Sequence, residues 1–373
     1  MRLLLWYWGR RGGGAQFTLG LARALAARPG IDIALSVSAQ CELAPEFRAL
    51  GVPMEEVETY SGLLGFAAAL PRIPFLARRL VAQAKGRQGV DAVISGMTHL
   101  FTPLVAPALA RAGIAFIPVV HDAAPHPGDF ALAWDWRLGQ ELGVARAAVA
   151  LSGPVAAALA VRVPGLPIIR MALPALLASG PGAPLPLVPF PPAGDGPRLL
   201  FFGRFRAYKG LDLLRDAFAI FRAMHPAASL RVVGEGDAEA CAPGLAALPG
   251  VSVETRWVAE AEIPGLLAGA DAVVLPYREA SQSGIAPQAL AMGIPLVATP
   301  VGGLTEQVLE GAGGLVAAEI SAAALADALA RLMAPGAMAT LRREAAEAGR
   351  AAADWGPQTD LLLEGLRRVL PAR

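Results

Sequence analysis

Short apolar runs of strand length alternate with helical stretches along most of the chain. Five such runs occur in the amino-terminal half, and they read "RLLLWYW", "IDIALSVS", "AVISGM", "AFIPVV" and "AVAL". The stretches between them, such as "AQFTLGLARALAAR", space their apolar residues as a helix does. Continuous apolar strands separated by helices are typical of a parallel sheet that is covered on both faces. The sequence therefore predicts an α/β fold with a doubly wound sheet.

The same alternation returns after a stretch that is rich in Pro and Gly. Residues 174–197 exclude helix and strand over most of their length and predict a linker. After them, "RLLFFG", "SLRVVG", "VSVETR", "DAVVLPY" and "PLVAT" predict a second sheet. A chain of 373 residues is also too long for one ordinary core. We therefore expect an amino-terminal domain at 1–173, a carboxy-terminal domain at 198–355, and a last helix at 356–373 that packs back toward the first domain.

Charge and cysteine content narrow the function classes. Residues 1–194 hold 16 Lys and Arg against 11 Asp and Glu, although the whole chain has a net charge of +1. This excess is too mild to predict nucleic-acid binding; it fits an anionic membrane partner or an uneven, solvated surface equally well. Cys41 and Cys241 are too few for a disulfide framework or a metal cluster, which fits a reducing cytoplasm. The start "MRLLLWYWGRRGGG" predicts a buried strand rather than a signal peptide, and no apolar run reaches the length of a membrane-spanning helix.

The turn after "RLLFFG" concentrates positive charge. Its sequence "GRFRAYKG" holds Arg204, Arg206 and Lys209, and no carboxylate precedes Asp212. Because the turn follows a strand and leads into a helix, backbone donors and the positive helix end favour an anion. Arg204 offers a planar fork and Lys209 a point charge, a pair that suits a diphosphate. On spacing alone, an exposed basic loop fits equally well.

Four segments of the second half extend this pattern, from residue 203 to residue 308. They read "GRFRAYKGLDLLRDAF", "RVVGEGD", "ADAVVLPY" and "QALAMGIPLVATPVGGLTEQV". In order and spacing they resemble the carboxy-terminal domain of the retaining glycosyltransferases of family 4. The resemblance implies a GT-B architecture, in which two Rossmann-like domains face a central cleft with a nucleotide-sugar donor. It also implies that Gly203 shapes the donor turn and that Arg204 and Lys209 hold the donor diphosphate as catalytic residues.

Two further segments of the first half resemble family members. In "GRRGGGAQF", Gly13 and Gly14 match a loop beside the donor phosphate, although a glycine triplet is also a common tight turn. In "VVHDAAPHPGD", His121 and Asp122 directly follow a predicted strand. The resemblance implies that His121 is catalytic and that Asp122 lies beside the donor, whereas a lone histidine also packs in cores. His126 is a weaker candidate in the same segment.

In the second half, the turn "VVGEGD" and the segment "TRWVAEAE" complete the donor side. Gly234 and Gly236 form a GxG after a strand, but the third glycine of a dinucleotide fingerprint is missing, so we expect no nicotinamide cofactor. The resemblance instead implies that Gly234 lies near the nucleotide and that Trp257 and Val258 border the base. Trp257 fits a core position equally well.

The segment "PYREASQSGIAPQALAMG" departs from the family. Members usually carry two glutamates there, the first contacting the donor sugar and the second the ribose; this chain has Ala280 and Gln288. Glu279 is adjacent to the first position, and the Gln288 amide can still hydrogen-bond a ribose. The other predicted donor contacts are Ser281, Gln282, Ser283 and Gly284, which offer small polar groups and amides at a helix start.

These observations predict a retaining hexosyltransferase that uses a nucleotide-diphosphate sugar and a glycan or lipid-linked acceptor. It would act in bacterial polysaccharide or glycolipid synthesis, without a further cofactor and without a metal. The missing glutamates keep a second hypothesis open, a non-catalytic relative that binds nucleotide or glycan as a partner subunit. A sugar-nucleotide epimerase of the same architecture is a third, although its motifs are not apparent.

The segment at 70–87, "LPRIPFLARRLVAQAKGR", combines apolar and basic residues and contains no acid. In helical register Leu76, Leu80 and Val81 share a face, while Arg78 and Lys85 point elsewhere. Two interpretations fit: a helix that lies on an anionic membrane, or a surface helix whose apolar face packs on the first domain. We expect a cytoplasmic protein with weak contact to the inner membrane face through this segment.

Overall fold

The computed structural model describes residues 1–60, 62–86, 88–127, 131–176, 196–309 and 311–371. Within these ranges the chain forms two compact units. Unit 1 consists of Met1–Pro125, Asp129–Ala172 and Trp355–Arg373, and unit 2 consists of His126–Gly128 and Leu173–Asp354. Most of the predicted linker at 174–197 lies outside the described residues.

Unit 1 is built around a parallel sheet of seven strands in the order β3-β2-β1-β4-β5-β6-β7. The strands are β1 (Arg2–Tyr7), β2 (Asp32–Ser38), β3 (Met54–Val57), β4 (Ala92–Ser95), β5 (Phe116–Val120), β6 (Ala148–Ala150) and β7 (Ile168–Arg170). The helices are α1 (Gly13–Ala26), α2 (Ala44–Arg48), α3 (Gly62–Ala69), α4 (Ile73–Lys85), α5 (Thr102–Arg111), α6 (Ala131–Leu142), α7 (Gly153–Arg162) and, from the end of the chain, α15 (Trp355–Val369). The strand order reverses between β1 and β4, so the loops after these two strands flank one crevice.

Unit 2 contains a second parallel sheet, with six strands in the order β10-β9-β8-β11-β12-β13. The strands are β8 (Arg198–Phe202), β9 (Ser229–Gly234), β10 (Val251–Thr255), β11 (Ala272–Leu275), β12 (Leu296–Ala298) and β13 (Gly314–Val316). The helices are α8 (Leu211–Met224), α9 (Ala238–Cys241), α10 (Ile263–Ala268), α11 (Ile285–Ala291), α12 (Leu304–Gln307), α13 (Ala322–Arg331) and α14 (Ala337–Ala353). Here the order reverses between β8 and β11.

The predicted α/β class with parallel sheets is confirmed, and the strands that prediction missed all lie at sheet edges. They are β3, β7 and β13. The β3 sequence "MEEV" carries two carboxylates, while β7 and β13 have three residues each. An edge strand is short and partly solvated, so it needs no continuous apolar run and gives little signal in the sequence.

Each unit has its own apolar core, and the basic helix α4 contributes to the core of unit 1. Leu76 and Leu80 on α4 are each 1% exposed and pack with Trp6 and Trp8 in that core. The apolar side of α4 is therefore used inside the unit. No helix in the described ranges combines the length and the apolar character that crossing a membrane requires.

A buried polar cluster connects β4 to α6. The Thr98 hydroxyl donates to Oε2 of Glu141 at 2.6 Å, and the Glu141 side chain is fully buried. Burial raises the pKa of Glu141 to about 8, although the Thr98 hydrogen bond and the charge of Arg137 oppose the shift. The neighbouring His99 is also buried, which lowers its pKa to about 3 and keeps its imidazole neutral.

We predict that Glu141 makes unit 1 less stable as the pH rises. The unfolded carboxyl ionises near its ordinary pKa of about 4.3, whereas the folded one stays protonated up to its raised pKa, so stability falls between these values. Glu141→Gln keeps an acceptor for Thr98 but cannot ionise. Urea denaturation measures the free energy of unfolding. Between pH 5 and pH 9, this free energy should rise for the variant relative to the wild type by about 1 kcal/mol or more. The exposed Glu347→Gln is the control, and parallel pH curves for wild type and Glu141→Gln would contradict the prediction.

Candidate functional site

The basic turn of unit 2 lies at the point where its sheet reverses order. The turn follows β8, and the segment "PYREASQSG" follows the neighbouring strand β11. Gly210 has a φ of +67°, and a Cβ atom there would lie 1.9 Å from the carbonyl oxygen of Pro276. Only a residue without a side chain lets the two loops approach so closely. Ligands of doubly wound sheets bind at such a reversal, so the chain places its most basic turn where a ligand is expected.

The two predicted diphosphate ligands are held differently. Phe205 is buried and its amide donates to the carbonyl of Glu235, which leaves the preceding Arg204 exposed. Lys209 is half-buried, and its Nζ lies 3.7 Å from the centroid of the Tyr277 ring and 5.2 Å from that of Tyr208. Within the described ranges, no carboxylate pairs with either cation. Both charges are therefore available to an anionic ligand.

Tyr277 connects Lys209 to the loop after β11. Its ring is 1% exposed, and its hydroxyl lies 3.2 Å from the hydroxyl of Ser283. The amide of Ser283 donates to Oε1 of Gln307 at 2.7 Å, and Nε2 of Gln307 donates back to the Ser283 carbonyl. The face of the Tyr277 ring thus holds the Lys209 ammonium, while the Tyr277 hydroxyl contacts the turn that contains Ser283.

These bonds correct the role that the sequence predicted for Ser283. Its side chain is 2% exposed, and both its amide and its hydroxyl have partners inside unit 2. Ser283 therefore supports the turn rather than offering donors to a phosphate. Gln288 is also buried, at 4% exposed, whereas Ser281, Gln282 and Gly284 are half-buried.

The Glu279 carboxylate lies within hydrogen-bond distance of a histidine from much earlier in the chain. Nδ1 of His126 lies 3.0 Å from Oε1 of Glu279, and the imidazole stacks on the Tyr208 ring with centroids 4.2 Å apart. Arg278 fixes the same turn, since its amide donates to the Tyr208 carbonyl and its guanidinium pairs with Asp212. A cavity of about 380 Å³ opens beside this group, lined by Pro127, Ala207, Tyr208, Asp212, Ala240, Cys241, Arg278 and Glu279.

The GxG turn after β9 has a structural explanation. A Cβ on Gly234 would lie 1.8 Å from the Gly203 carbonyl oxygen, so the turns after β8 and β9 are in direct backbone contact. Gly203 and Gly234 thus set the path of the basic turn. Val258 is buried at 4% exposed, and Trp257 is half-buried.

Unit 1 contains the remaining predicted residues. Gly13 and Gly14 are the first residues of α1, directly after β1, and the preceding amide of Gly12 donates to Oε1 of Glu42 at 2.7 Å. Burial raises the pKa of Glu42, while the Gly12 hydrogen bond and the nearby Arg11 lower it in part. Glu42 was not predicted from the sequence, because it lies outside every motif. Only the fold brings it next to the loop that contains Gly12.

His121 and Asp122 follow β5, at the carboxyl edge of the same sheet. Nε2 of His121 lies 3.0 Å from the carbonyl oxygen of Gly96, and its ring meets the edge of Phe17. Burial lowers the pKa of His121, although the Gly96 contact and the charge of Asp122 raise it in part. Because the Gly96 carbonyl can only accept, Nε2 of His121 donates the hydrogen in this contact. Within the described ranges, no group of three or more His, Cys, Asp or Glu side chains is arranged to hold a metal.

Solved structures show the fold to which this arrangement belongs. Sucrose-phosphate synthase from Thermosynechococcus elongatus matches 99% of each chain with a TM-score of 0.74 at 19% identity. Anabaena HepE, solved in complex with UDP and glucose, matches 99% of this chain and 100% of its own with a TM-score of 0.73 at 17% identity. The predicted GT-B fold is therefore confirmed, and fold and basic turn together define a two-unit α/β protein whose basic turn lies at the strand reversal of unit 2.

Sequence comparison finds relatives of part of the second unit. Residues 196–335 match the family model described as "Glycosyl transferases group 1". Glycogen synthase of Mycobacterium tuberculosis is 34% identical over 151 residues, which are 40% of this chain and 36% of that protein. D-inositol 3-phosphate glycosyltransferase of Jonesia denitrificans is 35% identical over 134 residues, 33% of this chain and 32% of its own. Residues 196–335 are therefore similar to this family, and the matched stretch spans about a third of the relatives' length.

We predict that the Tyr277 ring positions Lys209 for an anion. Tyr277→Leu removes the ring face and should weaken binding of a nucleoside diphosphate by about three- to tenfold, the range expected for a cation–π contact of about 0.5–1.5 kcal/mol. Tyr277→Phe keeps the ring and loses only the contact to Ser283, so its affinity should stay near that of the wild type.

Titration calorimetry with UDP, well below the unfolding temperature of each variant, measures both effects. Equal affinities for wild type and a folded Tyr277→Leu variant would show that the ring does not hold the ammonium in its binding position.

Proposed function

We propose that the protein is a glycosyltransferase that takes a sugar from a nucleoside-diphosphate donor. The observation that carries this proposal is the pair of cations at the strand reversal of unit 2, Arg204 and Lys209, which no described carboxylate neutralises. The match of residues 196–335 to the model of a glycosyltransferase family supports the same activity. An uncompensated guanidinium and ammonium in one turn suit the two phosphates of such a donor.

In this proposal the chain acts mainly through electrostatics. When the bond between the sugar and the diphosphate breaks, the leaving group gains negative charge, and Arg204 and Lys209 stabilise that charge. The acceptor hydroxyl forms the new bond to the sugar and loses its proton. His121 is proposed to be a site residue beside the donor, as the family-4 resemblance implies. We propose retention of the anomeric configuration, as the family-4 resemblance implies.

The substrates follow from the relatives as proposals. HepE was solved with UDP, so UDP is the first nucleotide to test. The relatives are named for glycogen and for inositol 3-phosphate, both polyhydroxylated acceptors. We propose a hexosyl donor and a glycan or lipid-linked acceptor in bacterial polysaccharide or glycolipid synthesis. We also propose a cytoplasmic location and catalysis without a metal.

A donor panel tests the activity. Purified protein is incubated with UDP-, GDP- and ADP-hexoses, with and without an acceptor extract, and release of nucleoside diphosphate is measured. Turnover of at least one sugar supports the glycosyltransferase. Binding of a nucleoside diphosphate with no turnover of any donor would favour the non-catalytic relative, which Ala280 and Gln288 keep as the second candidate.

We predict that the two cations act as a pair while their neighbour does not. Arg204→Ala or Lys209→Ala should each remove a charge-assisted contact of roughly 1.5 to 3 kcal/mol and weaken UDP binding about tenfold or more. Arg206→Ala is the matched control, because Arg206 is an exposed arginine of the same turn and should change affinity little.

The same calorimetric titration measures all three variants, and circular dichroism confirms that they fold. Unchanged UDP affinity in both Arg204→Ala and Lys209→Ala, or an equal loss in Arg206→Ala, would refute the assignment of the diphosphate site.

A further inference from the structure

Unit 1 exposes three large apolar side chains on one continuous segment. Leu64 on α3 is 89% exposed, Leu70 in the following 3₁₀ turn is 42% exposed, and Phe75 on α4 is 61% exposed. We call these residues, together with Arg72, Arg78 and Lys85 on the same segment, the α3–α4 surface. It is separate from the apolar side of α4 that packs in the core.

Helix α3 is apolar around its whole circumference. Its sequence "GLLGFAAA" contains no polar side chain. Its inward side is already packed, because Phe66 meets the rings of Tyr60 and Phe101. Leu64, Ala67 and Ala68 are exposed. A helix that is apolar on every side is normally surrounded by apolar groups. We therefore expect an apolar partner to cover the exposed side of α3.

The charged side chains on this segment itself are all basic. The sequence contains no acidic residue from 59 to 90. Phe75, Arg78, Ala82 and Lys85 recur at helical spacing on the exposed side of α4, and no described carboxylate pairs with Arg78 or Lys85. Glu58 lies at the edge, 3.9 Å from Arg72 and well exposed. Arg78 and Lys85 therefore present positive charge that no described carboxylate pairs, whereas Arg72 has Glu58 as a partner.

We propose that the α3–α4 surface docks on an anionic lipid bilayer. Leu64, Leu70 and Phe75 enter the boundary between headgroups and acyl chains, while Arg78 and Lys85 contact the lipid phosphates. A bilayer fits better than a protein partner, because α3 offers no side-chain donor or acceptor for the directed hydrogen bonds of a protein interface. The contact is peripheral and does not depend on the proposed glycosyltransferase activity.

Vesicle flotation tests the proposal with the full chain. Vesicles of phosphatidylcholine alone are compared with vesicles that also contain phosphatidylglycerol, at low and high salt. The wild type should bind the anionic vesicles and be released by salt, because exposed charges are screened. Leu64→Ser with Phe75→Ser, and separately Arg78→Gln with Lys85→Gln, should each reduce binding about tenfold or more.

Matched controls come from the same unit. Val161→Ser replaces an apolar residue on α7 that is 82% exposed, and Arg111→Gln replaces an exposed arginine on α5. Both should bind vesicles as the wild type does, and UDP affinity should be unchanged in every variant, which separates this proposal from the donor site.

Three results would overturn the proposal. These are equal binding to neutral and anionic vesicles, equal losses in the controls, and a self-associated chain whose dimer is abolished by the Leu64 and Phe75 substitutions. The last result would assign the surface to a second copy of the chain.

Discussion

The parallel pairing of β8 with β11 is the constraint on which the candidate site depends. Because the sheet of unit 2 reverses its strand order there, the two following loops leave the same edge side by side. Their contact is so close that Gly210 lies directly against the carbonyl of Pro276. A side chain at 210 would force the loops apart and move Lys209 away from Tyr277. The backbone geometry of one glycine thus sets the position of the ammonium.

The candidate site is positively charged because no described carboxylate pairs with Arg204 or Lys209 of the basic turn. Elsewhere in unit 2 several arginines pair with carboxylates: Arg198 and Arg342 both pair with Asp271, and Arg231 pairs with Glu254. In the basic turn, Lys209 rests on an aromatic face instead. A ring holds a cation without cancelling its formal charge, so the ammonium is positioned and still attracts an anion. A carboxylate in the same place would compete with the ligand.

Features that depend on residues close together in the sequence could be predicted, whereas contacts between distant segments could not. Strand alternation predicted both sheets, and a cluster of cations after one strand predicted the turn. The contact between Lys209 and Tyr277 could not be predicted, because it joins residues from two loops that only the strand order brings together. Ser283 was predicted to contact the ligand, because a small polar residue at a helix start suits an anion. In the structure its amide donates to the side chain of Gln307 instead.

The missing family glutamates can be interpreted through the loop after β11. The Ala280 carbonyl accepts from the amide of Gly303, and the Ala280 side chain packs on the core of unit 2. A carboxylate at 280 would have to displace that packing and be desolvated. The adjacent Glu279 is 47% exposed and pairs with His126, which holds it in one orientation. Glu279 thus places a carboxylate beside the cavity, one residue before Ala280, and His126 holds it there.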